Sequence, residues 1–414
     1  MSEIKDTQQH PKVEIAVKNF GPIAEANIDL RPLTVFVGPS NTGKTYFATL
    51  VYTLHDIFQE FAHLAKQKHP RGFNVPEAEL ETTEAAFKRS FDVASVSDLI
   101  RLPSSAYGHL EISLKVSEVH RENAPFSFRV QGSERIGLGR NPLAELMLYS
   151  GQQIDSEQCY YLPAARSGIL QSHRIIASSL MDRAVRSNSS EMPTLSSVVV
   201  DFMKQLPLYE ESKESDGAIP TIAAALEDDV LAGKIIAKSM LSGYPEFFYQ
   251  PHATKEEIRL NQTSSMVSEL APLVLFLRSL VQPGDTLIIE EPEAHLHPGA
   301  QADMAVILAR LIRAGVRVII TTHSDWMLQE IGNLIRVGEL EKARQEVSDL
   351  PTSLQREQVG VWHFQKSGKV AEIPYDRING VEPMEYLDVA EDLYNRSARL
   401  QNRLEEMKGD SERE

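Results

Sequence analysis

The start of the chain shows first the two-residue hydrophobic period of β-strands and then the roughly 3.6-residue period of an α-helix. Val13–Leu30 alternates apolar and polar residues around a Gly-Pro pair, which predicts a β-hairpin. Pro32–Gly38 is a nearly continuous apolar run, typical of a buried strand. Apolar residues at helical spacing then predict a helix from Lys44 into the mid-sixties. These residues are Phe47, Leu50, Val51, Leu54 and Phe58.

The last third of the chain repeats this strand–helix alternation. The pattern predicts a helix over about Ser265–Leu280, a strand at Thr286–Glu290, a helix from Gly299, a strand at Val316–Ser324, a helix near Trp326, a hairpin at Val359–Asp376 and a helix at Met384–Met407. Strands alternating with helices are typical of α/β folds. The outer thirds of the chain are therefore predicted to form one α/β core.

The middle of the chain has a different pattern. Gly108–Gln131 contains two alternating runs that predict antiparallel strands, and Tyr160–Gly168 indicates a strand end followed by a loop. From Ile169 to Met240 the pattern is mostly helical, interrupted by the acidic stretch Tyr209–Pro220. We therefore expect an N-terminal lobe at 1–165, an inserted, mainly helical lobe at 166–260, a C-terminal lobe at 261–383, and a C-terminal helix with a charged tail at 384–414.

Composition excludes several classes of protein. The chain has 42% hydrophobic and 24% charged residues, as expected for a globular protein, and no apolar run approaches the roughly 20 residues of a membrane span. A net charge of −16 argues against a binder of polyanions over its whole surface. The single cysteine, Cys159, fits a reducing compartment. We expect a cytoplasmic protein that does not contact a membrane.

A phosphate-binding loop lies between the first buried strand and the following helix. Its sequence, Gly38, Pro39, Ser40, Asn41, Thr42, Gly43, Lys44 and Thr45, matches the pattern G-x-x-x-x-G-K-[ST]. Glycines let the backbone approach phosphates, and the helix N-terminus supplies a positive dipole. Lys44 is expected to reach the β- and γ-phosphates, and the Thr45 hydroxyl to hold Mg²⁺.

Two glutamates end the strand at Thr286–Glu290. In a site with a phosphate loop, the carboxylate that ends a second buried strand holds Mg²⁺, and a neighbouring carboxylate polarises the attacking water. We assign the first role to Glu290 and the second to Glu291. The rival interpretation is a zinc or two-metal centre built from Glu293, His295, His297 and His323, which lacks further ligands at suitable spacing.

His323 ends the next predicted strand in a polar stretch, TTHS. A lone histidine is usually structural, but this position is the one where a sensor of the γ-phosphate is expected.

Three segments together resemble the Walker A, Walker B with D-loop, and H-loop motifs of ABC-type ATPases. They are Gly38–Thr45, Leu287–Pro298 and Ile319–Leu328. The order and spacing are more closely similar to the RecF/SMC/OLD branch of bacterial ATPases. The resemblance implies an ABC-type P-loop ATPase head, with a mixed core sheet flanked by helices and an antiparallel β subdomain. It also implies ATP bound between two heads, each site being completed by the partner's signature motif.

The signature motif is expected just before the helix that leads to the Walker B strand. Ser264 and Ser265 fit the Ser-Ser-Gly of relatives, but Met266 stands where glycine is expected. The alternative is a serine-rich helix cap. Arg166, in a segment similar to one near the nucleotide in relatives, is expected to contact phosphate or DNA, with a surface salt bridge as the alternative.

Basic residues cluster in the inserted lobe in spite of the negative net charge. Arg166–Arg186 holds four arginines and His173 against one acid, and a looser group consists of His120, Arg121, Arg129, Arg135 and Arg140. Such arginines can engage a phosphate backbone without reading its sequence. The alternative is a helical arm paired with the acidic Tyr209–Asp229 region.

The residues between the two nucleotide motifs lack sustained heptads, so no long SMC-type coiled coil is expected. The stretch after His323 is shorter than the nuclease domain of OLD-type proteins. We therefore expect a slow, dimeric ATP-dependent switch with a separate effector such as a nuclease, acting on DNA or RNA. It is similar to the ATPase subunits of anti-phage systems such as Septu and PARIS. A RecF-like repair ATPase and a non-hydrolysing, ATP-gated scaffold are the alternatives.

Overall fold

The computed structural model describes most of the chain. The described residues are 12–66, 75–101, 109–118, 121–122, 126–131, 134–138, 157–172, 195–206, 217–238, 245–343, 352–381 and 384–411.

The described residues form fifteen strands between Lys12 and Ile373. Their bounds are β1 Lys12–Phe20, β2 Ile23–Leu30, β3 Leu33–Val37, β4 His109–Glu118, β5 Arg121–Glu122, β6 Phe126–Gln131, β7 Glu134–Leu138, β8 Cys159–Leu162, β9 Gly233–Lys238, β10 Glu246–Pro251, β11 Ile258–Arg259, β12 Thr286–Glu290, β13 Arg317–Thr322, β14 Val359–Phe364 and β15 Val370–Ile373.

The helices of the described residues lie in the N-terminal, middle and C-terminal parts of the chain. Their bounds are α1 Lys44–Lys66, α2 Val75–Phe91, α3 Ser197–Gln205, α4 Ala218–Ala225, α5 Ser265–Ser279, α6 Pro298–Arg313, α7 Asp325–Lys342 and α8 Met384–Ser411. Within this described part, no helix combines the length and the apolar composition that a membrane crossing requires.

A mixed six-stranded sheet forms the centre of the fold, in the order β15-β14-β3-β13-β12-β8. The five strands from β14 to β8 are parallel, and only the edge strand β15 is antiparallel to its neighbour. The α/β fold with a mixed core sheet, expected from the alternating pattern, is confirmed. The predicted C-terminal hairpin, β14–β15, joins the core next to β3, so the two ends of the chain share one sheet.

A second sheet is antiparallel and follows the order β2-β1-β4-β6-β7, with β5 paired to β4. The predicted N-terminal hairpin is its β1–β2 pair, with Val13 opposite Leu30. The two alternating runs of the middle region form β4 and β6, as expected. This sheet is the antiparallel β subdomain of the fold.

The middle region departs from its helical prediction at one place. Gly233–Lys238 forms β9, which pairs with β10 in a three-stranded antiparallel sheet. Its residues alternate between buried and more exposed, and this two-residue period outweighs the helical pattern before it. The helical prediction up to Met240 is therefore wrong for β9. The boundaries of the inserted lobe stay a prediction.

The central sheet is buried on both faces. Val35 and Val37 pack on one face with residues of α5, α6 and α7. Phe36, between them in β3, packs on the other face with α1 and the antiparallel sheet. Strands buried on both faces are expected to be continuously apolar, which explains the short apolar runs seen in the sequence. The polar sequence motifs begin at the edge of the sheet where the carboxyl ends of these parallel strands lie.

Candidate functional site

Four parallel strands of the core end at the same edge of the sheet. The phosphate loop follows β3, Glu290 ends β12, His323 follows β13, and Arg166 lies four residues beyond β8. In open α/β sheets this edge is where ligands bind. The tertiary structure therefore brings together residues that are up to 285 positions apart in sequence numbering, between Gly38 and His323.

Two glycines of the phosphate loop lie too close to neighbouring residues to carry a side chain without a clash. Gly38 and Gly43 have φ angles of +135° and +105°, which favour glycine. A Cβ atom at Gly38 would lie 2.3 Å from the carbonyl oxygen of Phe364, and one at Gly43 would lie 2.6 Å from Cγ1 of Ile23. A side chain at Gly38 would collide with backbone, and one at Gly43 would force the Ile23 side chain to move and would itself sit at an unfavourable φ angle.

The open side of the loop presents Ser40, Asn41 and Thr45, which are exposed. Pro39 is half-buried, and its carbonyl accepts a hydrogen bond from the Thr42 hydroxyl at 2.8 Å. The helix that follows begins with an amide of Phe47 donating to the Gly43 carbonyl at 2.9 Å. The loop thus exposes polar groups at a helix N-terminus, as anion binding requires.

Lys44 is folded into this loop. Its Nζ donates to the carbonyls of Gly38 and Pro39, at 2.8 and 2.7 Å, and the residue is 6% exposed. Burial lowers the pKa of the Lys44 ammonium to about 8, although Glu291 and Glu293 act to raise it. An anionic phosphate would add the negative charge that this buried ammonium lacks.

Glu290 is buried, and both of its carboxylate oxygens are held. Tyr161 donates its hydroxyl to Oε1 at 2.7 Å, and the amide of Ala164 donates to Oε2 at 2.8 Å. The same tyrosine hydroxyl lies 3.4 Å from Oγ1 of Thr49 on α1. Thr45 is one turn before Thr49, so the two predicted magnesium ligands lie toward the same side of α1.

Glu291 leaves the strand in a strained conformation. Its φ angle is +44°, unusual for a residue with a side chain, and its amide donates to the Thr321 carbonyl at 2.9 Å. The side chain is 45% exposed, and its Oε1 lies 3.9 Å from Nε2 of His323. Strain of this kind is common at functional sites, where surrounding contacts maintain it.

The His323 side chain is 36% exposed. Partial burial lowers the pKa of its imidazole, the Lys44 charge adds to this shift, and Glu291 opposes it. The side chain is therefore neutral near pH 7 and can both donate and accept a hydrogen bond. His323 and Glu291 lie near each other at the ends of neighbouring parallel strands.

Glu293 has a role that the sequence interpretation missed. Its Oε1 accepts hydrogen bonds from the Thr322 hydroxyl and the His323 amide, both at 2.7 Å. Its Oε2 is buried without a hydrogen-bond partner among the described residues, and burial raises the pKa of the carboxyl. Glu293 therefore fixes the backbone of His323 to the turn after β12. The available signal was the third acidic residue in EEPE.

The rival metal centre does not form from the described residues. Among them, no group of three or more histidines, cysteines and carboxylates is placed to hold a metal ion. His295 is exposed, and Nδ1 of His297 caps α6 by accepting from the Gly299 amide at 3.4 Å.

Arg166 requires a correction. It was predicted to contact phosphate or DNA, yet it is 1% exposed and is the largest of the fully buried side chains. Its guanidinium donates to the carbonyls of Glu290 at 2.6 Å, Glu291 at 3.2 Å and Glu269 at 2.9 Å. A guanidinium enclosed by backbone carbonyls cannot face a bound polyanion or form a surface salt bridge. Its role is structural support of the acidic strand end.

The predicted signature residues lie at the start of α5. Ser264 caps the helix by accepting from the Val267 amide at 3.4 Å, and both Ser264 and Ser265 are exposed. Met266 is half-buried and packs against the hydrophobic core. The helix cap is thus present, and it leaves the serine side chains accessible to a partner.

The residues fit a magnesium–nucleotide ligand. The ligands Thr45 and Glu290 offer only oxygen atoms, which Mg²⁺ prefers. Each oxygen of Glu290 accepts one hydrogen bond and keeps a second lone pair. The chain therefore combines an α/β fold with a P-loop sequence motif at the carboxyl edge of its parallel strands.

Comparison with known proteins supports an ATPase domain. A protein-family profile described as "AAA ATPase domain" matches residues 145–328, which include the signature segment, both acidic residues and His323. This match covers less than half of the chain and begins after the phosphate loop. No curated protein sequence matches the chain.

Several solved structures of SMC head domains are similar over most of the chain. One is an SMC head bound to the C-winged helix domain of ScpA, with 13% identity and a TM-score of 0.49, covering 89% of this chain and 99% of that chain. A head with a coiled coil and joint from Pyrococcus yayanosii has 10% identity and a TM-score of 0.48, covering 92% and 100%. The head from Thermotoga maritima has 13% identity and a TM-score of 0.40, covering 89% and 100%. These low scores carry no functional argument.

Proposed function

We propose that this protein binds ATP with Mg²⁺ and hydrolyses it slowly, as a dimeric molecular switch of the ABC type. The observation that supports this most directly is the convergence of Lys44, Glu290, Glu291 and His323 at one edge of the parallel sheet. The Lys44 charge acts on His323 and Glu291 acts on both, so the three side chains lie within electrostatic reach of one another.

Glu291 is the proposed general base. Its carboxylate is 45% exposed and lies beside a neutral imidazole, so it can accept a proton from a water molecule. His323 is the proposed sensor that orients that water or the γ-phosphate by hydrogen bonding. Glu293 keeps His323 in place through its backbone amide.

The remaining residues bind and orient the nucleotide. Lys44 and the loop amides of residues 38–43 are proposed to hold the phosphates, and Thr45 and Glu290 the metal. Mg²⁺, when bound, would neutralise charge on the β- and γ-phosphates. Tyr161 and the Ala164 amide keep Glu290 fixed in the orientation that binding needs.

The dimer is proposed from the exposed start of α5. Ser264 and Ser265 face outward at a helix N-terminus, where a partner's phosphate would be favoured. Met266 is tied to the core, so the backbone there cannot approach a phosphate as closely as glycine would allow. This supports slow turnover.

We further propose that the protein acts in anti-phage defence. In this role it would work with a separate effector, such as a nuclease, and would have DNA or RNA as its ligand. This proposal rests on the resemblance of the motifs to such ATPase subunits. Of the predicted basic residues, Arg129 is exposed and pairs with Glu111 at 2.6 Å. His120, Arg140, His173, Arg174, Arg183 and Arg186 lie outside the described residues, as do the side chains of Arg121 and Arg135.

Purified protein tests the central proposal. ATP binding measured by calorimetry, and phosphate release measured over hours, should both be positive and depend on Mg²⁺. Light scattering should show an ATP-dependent doubling of mass. Trp326, 53% exposed beside His323, should change its fluorescence on dimer closure, whereas the buried Trp362 should not. Binding without any release would favour the ATP-gated scaffold, and no binding would contradict the proposal.

The proposed role in anti-phage defence needs a separate test. Co-expression with the product of the adjacent gene should yield a complex in which ATP changes the partner's nuclease activity, and phage plating on cells carrying both genes should fall. Unchanged plating together with sensitivity of a deletion strain to DNA damage would favour repair.

A further inference from the structure

The segment Pro163–Ser167, which follows β8, joins two parts of the molecule. On one side it contacts the end of β12, where Glu290 and Glu291 lie. On the other side it contacts α5, the helix that begins with Ser264 and Ser265. We call these five residues the linker segment. Arg166, Ser167 and the Ala164 amide make its hydrogen bonds to these two parts among the described residues.

On the β12 side, Arg166 holds the backbone of the acidic pair. Nη1 donates to the Glu290 carbonyl at 2.6 Å, and Nη2 donates to the Glu291 carbonyl at 3.2 Å. The Ala164 amide adds a bond to the Glu290 carboxylate. Since the φ angle of Glu291 is +44°, the direction of its side chain depends on contacts of this kind.

On the α5 side, the linker segment is joined to Glu269, one turn after the exposed serines. Arg166 Nε donates to the Glu269 carbonyl at 2.9 Å and lies 3.4 Å from its Oε2, while the Ser167 hydroxyl donates to Oε1. Glu269 is 5% exposed, so these contacts are shielded from water. Low solvent access strengthens charged hydrogen bonds.

One planar guanidinium therefore bonds α5 and both carbonyls of the acidic pair. Its fork is rigid, so a shift of α5 toward or away from β12 must move either the guanidinium or the turn that carries Glu291. A lysine ammonium in the same place carries the charge but cannot span these carbonyls with fixed geometry.

We propose that Arg166 is a positioning residue that couples the start of α5 to Glu291 in the same protomer. When Ser264 and Ser265 engage the nucleotide held by a partner copy, the resulting position of α5 sets the direction of the Glu291 carboxylate. Each nucleotide then influences hydrolysis of the other, so the two sites of a dimer act cooperatively. This inference rests on the proposed dimeric ATPase function.

The same helix offers a matched control. Arg278, near the end of α5, donates to Glu227 Oε1 at 2.5 Å and to the Ile235 carbonyl at 2.8 Å. Glu227 is 5% exposed, as Glu269 is. This pair also joins α5 to a neighbouring element by an arginine–glutamate contact, with Arg278 partly exposed at 31%, but it contacts neither acidic residue of the site.

The test compares Arg166→Lys, Glu269→Gln and Ser167→Ala with Arg278→Lys and Glu227→Gln. Wild type should hydrolyse ATP with a Hill coefficient approaching about 2, the number of sites. Arg166→Lys should lower kcat by about tenfold and bring the Hill coefficient to about 1, with ATP affinity of the monomer within about threefold of wild type. Glu269→Gln places an amide donor near Nε and should act in the same direction. Ser167→Ala should show a smaller loss.

The control variants should lower Tm but keep the Hill coefficient and kcat of wild type. If Arg166→Lys does not fold, Glu269→Gln and Ser167→Ala carry the comparison. A wild-type Hill coefficient of about 1, or coupling variants that behave like the controls, would overturn the proposal.

A failure of the proposed ATPase function can be told apart from a failure of the coupling by Arg166. In the first case wild type would bind no ATP in calorimetry. If wild type binds ATP without turnover, cooperativity of ATP-dependent dimerisation is measured in the same variants. Its loss in the Arg166 and Glu269 variants alone supports the coupling, and its retention overturns it.

Discussion

Nε2 of His323 lies 3.9 Å from Oε1 of Glu291. The two residues follow neighbouring parallel strands, β13 and β12, and the Glu291 amide is bonded to Thr321 on the facing strand. The separation exceeds a direct hydrogen bond, so neither polar atom is engaged by the other. This pair is the basis of the first prediction.

Glu291→Gln should bind ATP normally and lose hydrolysis. The amide keeps the shape of the side chain but cannot accept a proton, and general-base catalysis contributes about 100-fold or more to rate. Phosphate release and ATP affinity are the measurements, with the exposed Glu256→Gln as a control. The variant should also remain dimeric in ATP. Turnover equal to wild type would show that Glu291 is not the base.

Lys44→Ala should abolish ATP binding. The change removes the only ammonium bonded to the loop carbonyls of Gly38 and Pro39 among the described residues. Calorimetry should detect at least about a 100-fold loss of affinity, because a buried charged hydrogen bond to phosphate is lost. The exposed Lys342→Ala serves as a control. Equal affinities in the two variants would contradict the phosphate-loop assignment.

Glu293→Ala should slow hydrolysis without weakening ATP binding. Loss of the carboxylate leaves the Thr322 hydroxyl and the His323 amide without their acceptor, so His323 loses its fixed position. Two lost buried bonds should lower the free energy of unfolding by about 2–4 kcal/mol. Glu293→Gln retains an acceptor oxygen and should recover most of the turnover. If Gln and Ala behave alike, the carboxylate has a different role.

Met266→Gly should separate stability from turnover. Without nucleotide, the variant should be less stable by about 1–3 kcal/mol, because glycine weakens the helix start and the core contact of the side chain is lost. With ATP, closer approach of the backbone should tighten the dimer or raise kcat. Met266→Ala loses the packing but keeps helix propensity. If Met266→Gly and Ser264→Ala both leave dimerisation and turnover unchanged, this segment is only a helix cap.

His55 should make the fold sensitive to acid. Burial lowers the pKa of its imidazole to about 4, against an ordinary value near 6.5, although a bond to the Glu157 backbone opposes the shift. Between these pH values the unfolded chain binds a proton that the folded chain excludes. The free energy of unfolding should therefore fall by about 2–3 kcal/mol as pH drops from 6.5 to 4.

His55→Gln keeps a donor for Glu157 but does not titrate, so denaturant unfolding of this variant should depend less on pH over the same interval. The exposed His109→Gln should retain the full pH dependence of wild type. Identical pH profiles for wild type and His55→Gln would exclude His55 as the cause.

The sequence by itself determined the features that depend on neighbouring residues. The phosphate loop, the two glutamates after a buried strand and the histidine after the next one are local patterns. Each places a defined residue type at the end of an apolar run. Their predicted roles, which are phosphate binding, metal binding with water activation, and sensing of the γ-phosphate, belong to one nucleotide site. The structure brings Lys44, Glu291 and His323 together as expected.

Only the tertiary structure decided what depends on distant partners. Arginine is usually a surface residue. Arg166 is buried nevertheless, because backbone carbonyls 103 and 124 positions away accept its hydrogen bonds. Glu293 has its partners 29 and 30 positions away, on the next strand. Gly233–Lys238 becomes a strand because β10 pairs with it. Local periodicity records which face of an element is apolar, but not which distant donor or acceptor will meet a polar atom, and these contacts set the roles of Arg166 and Glu293.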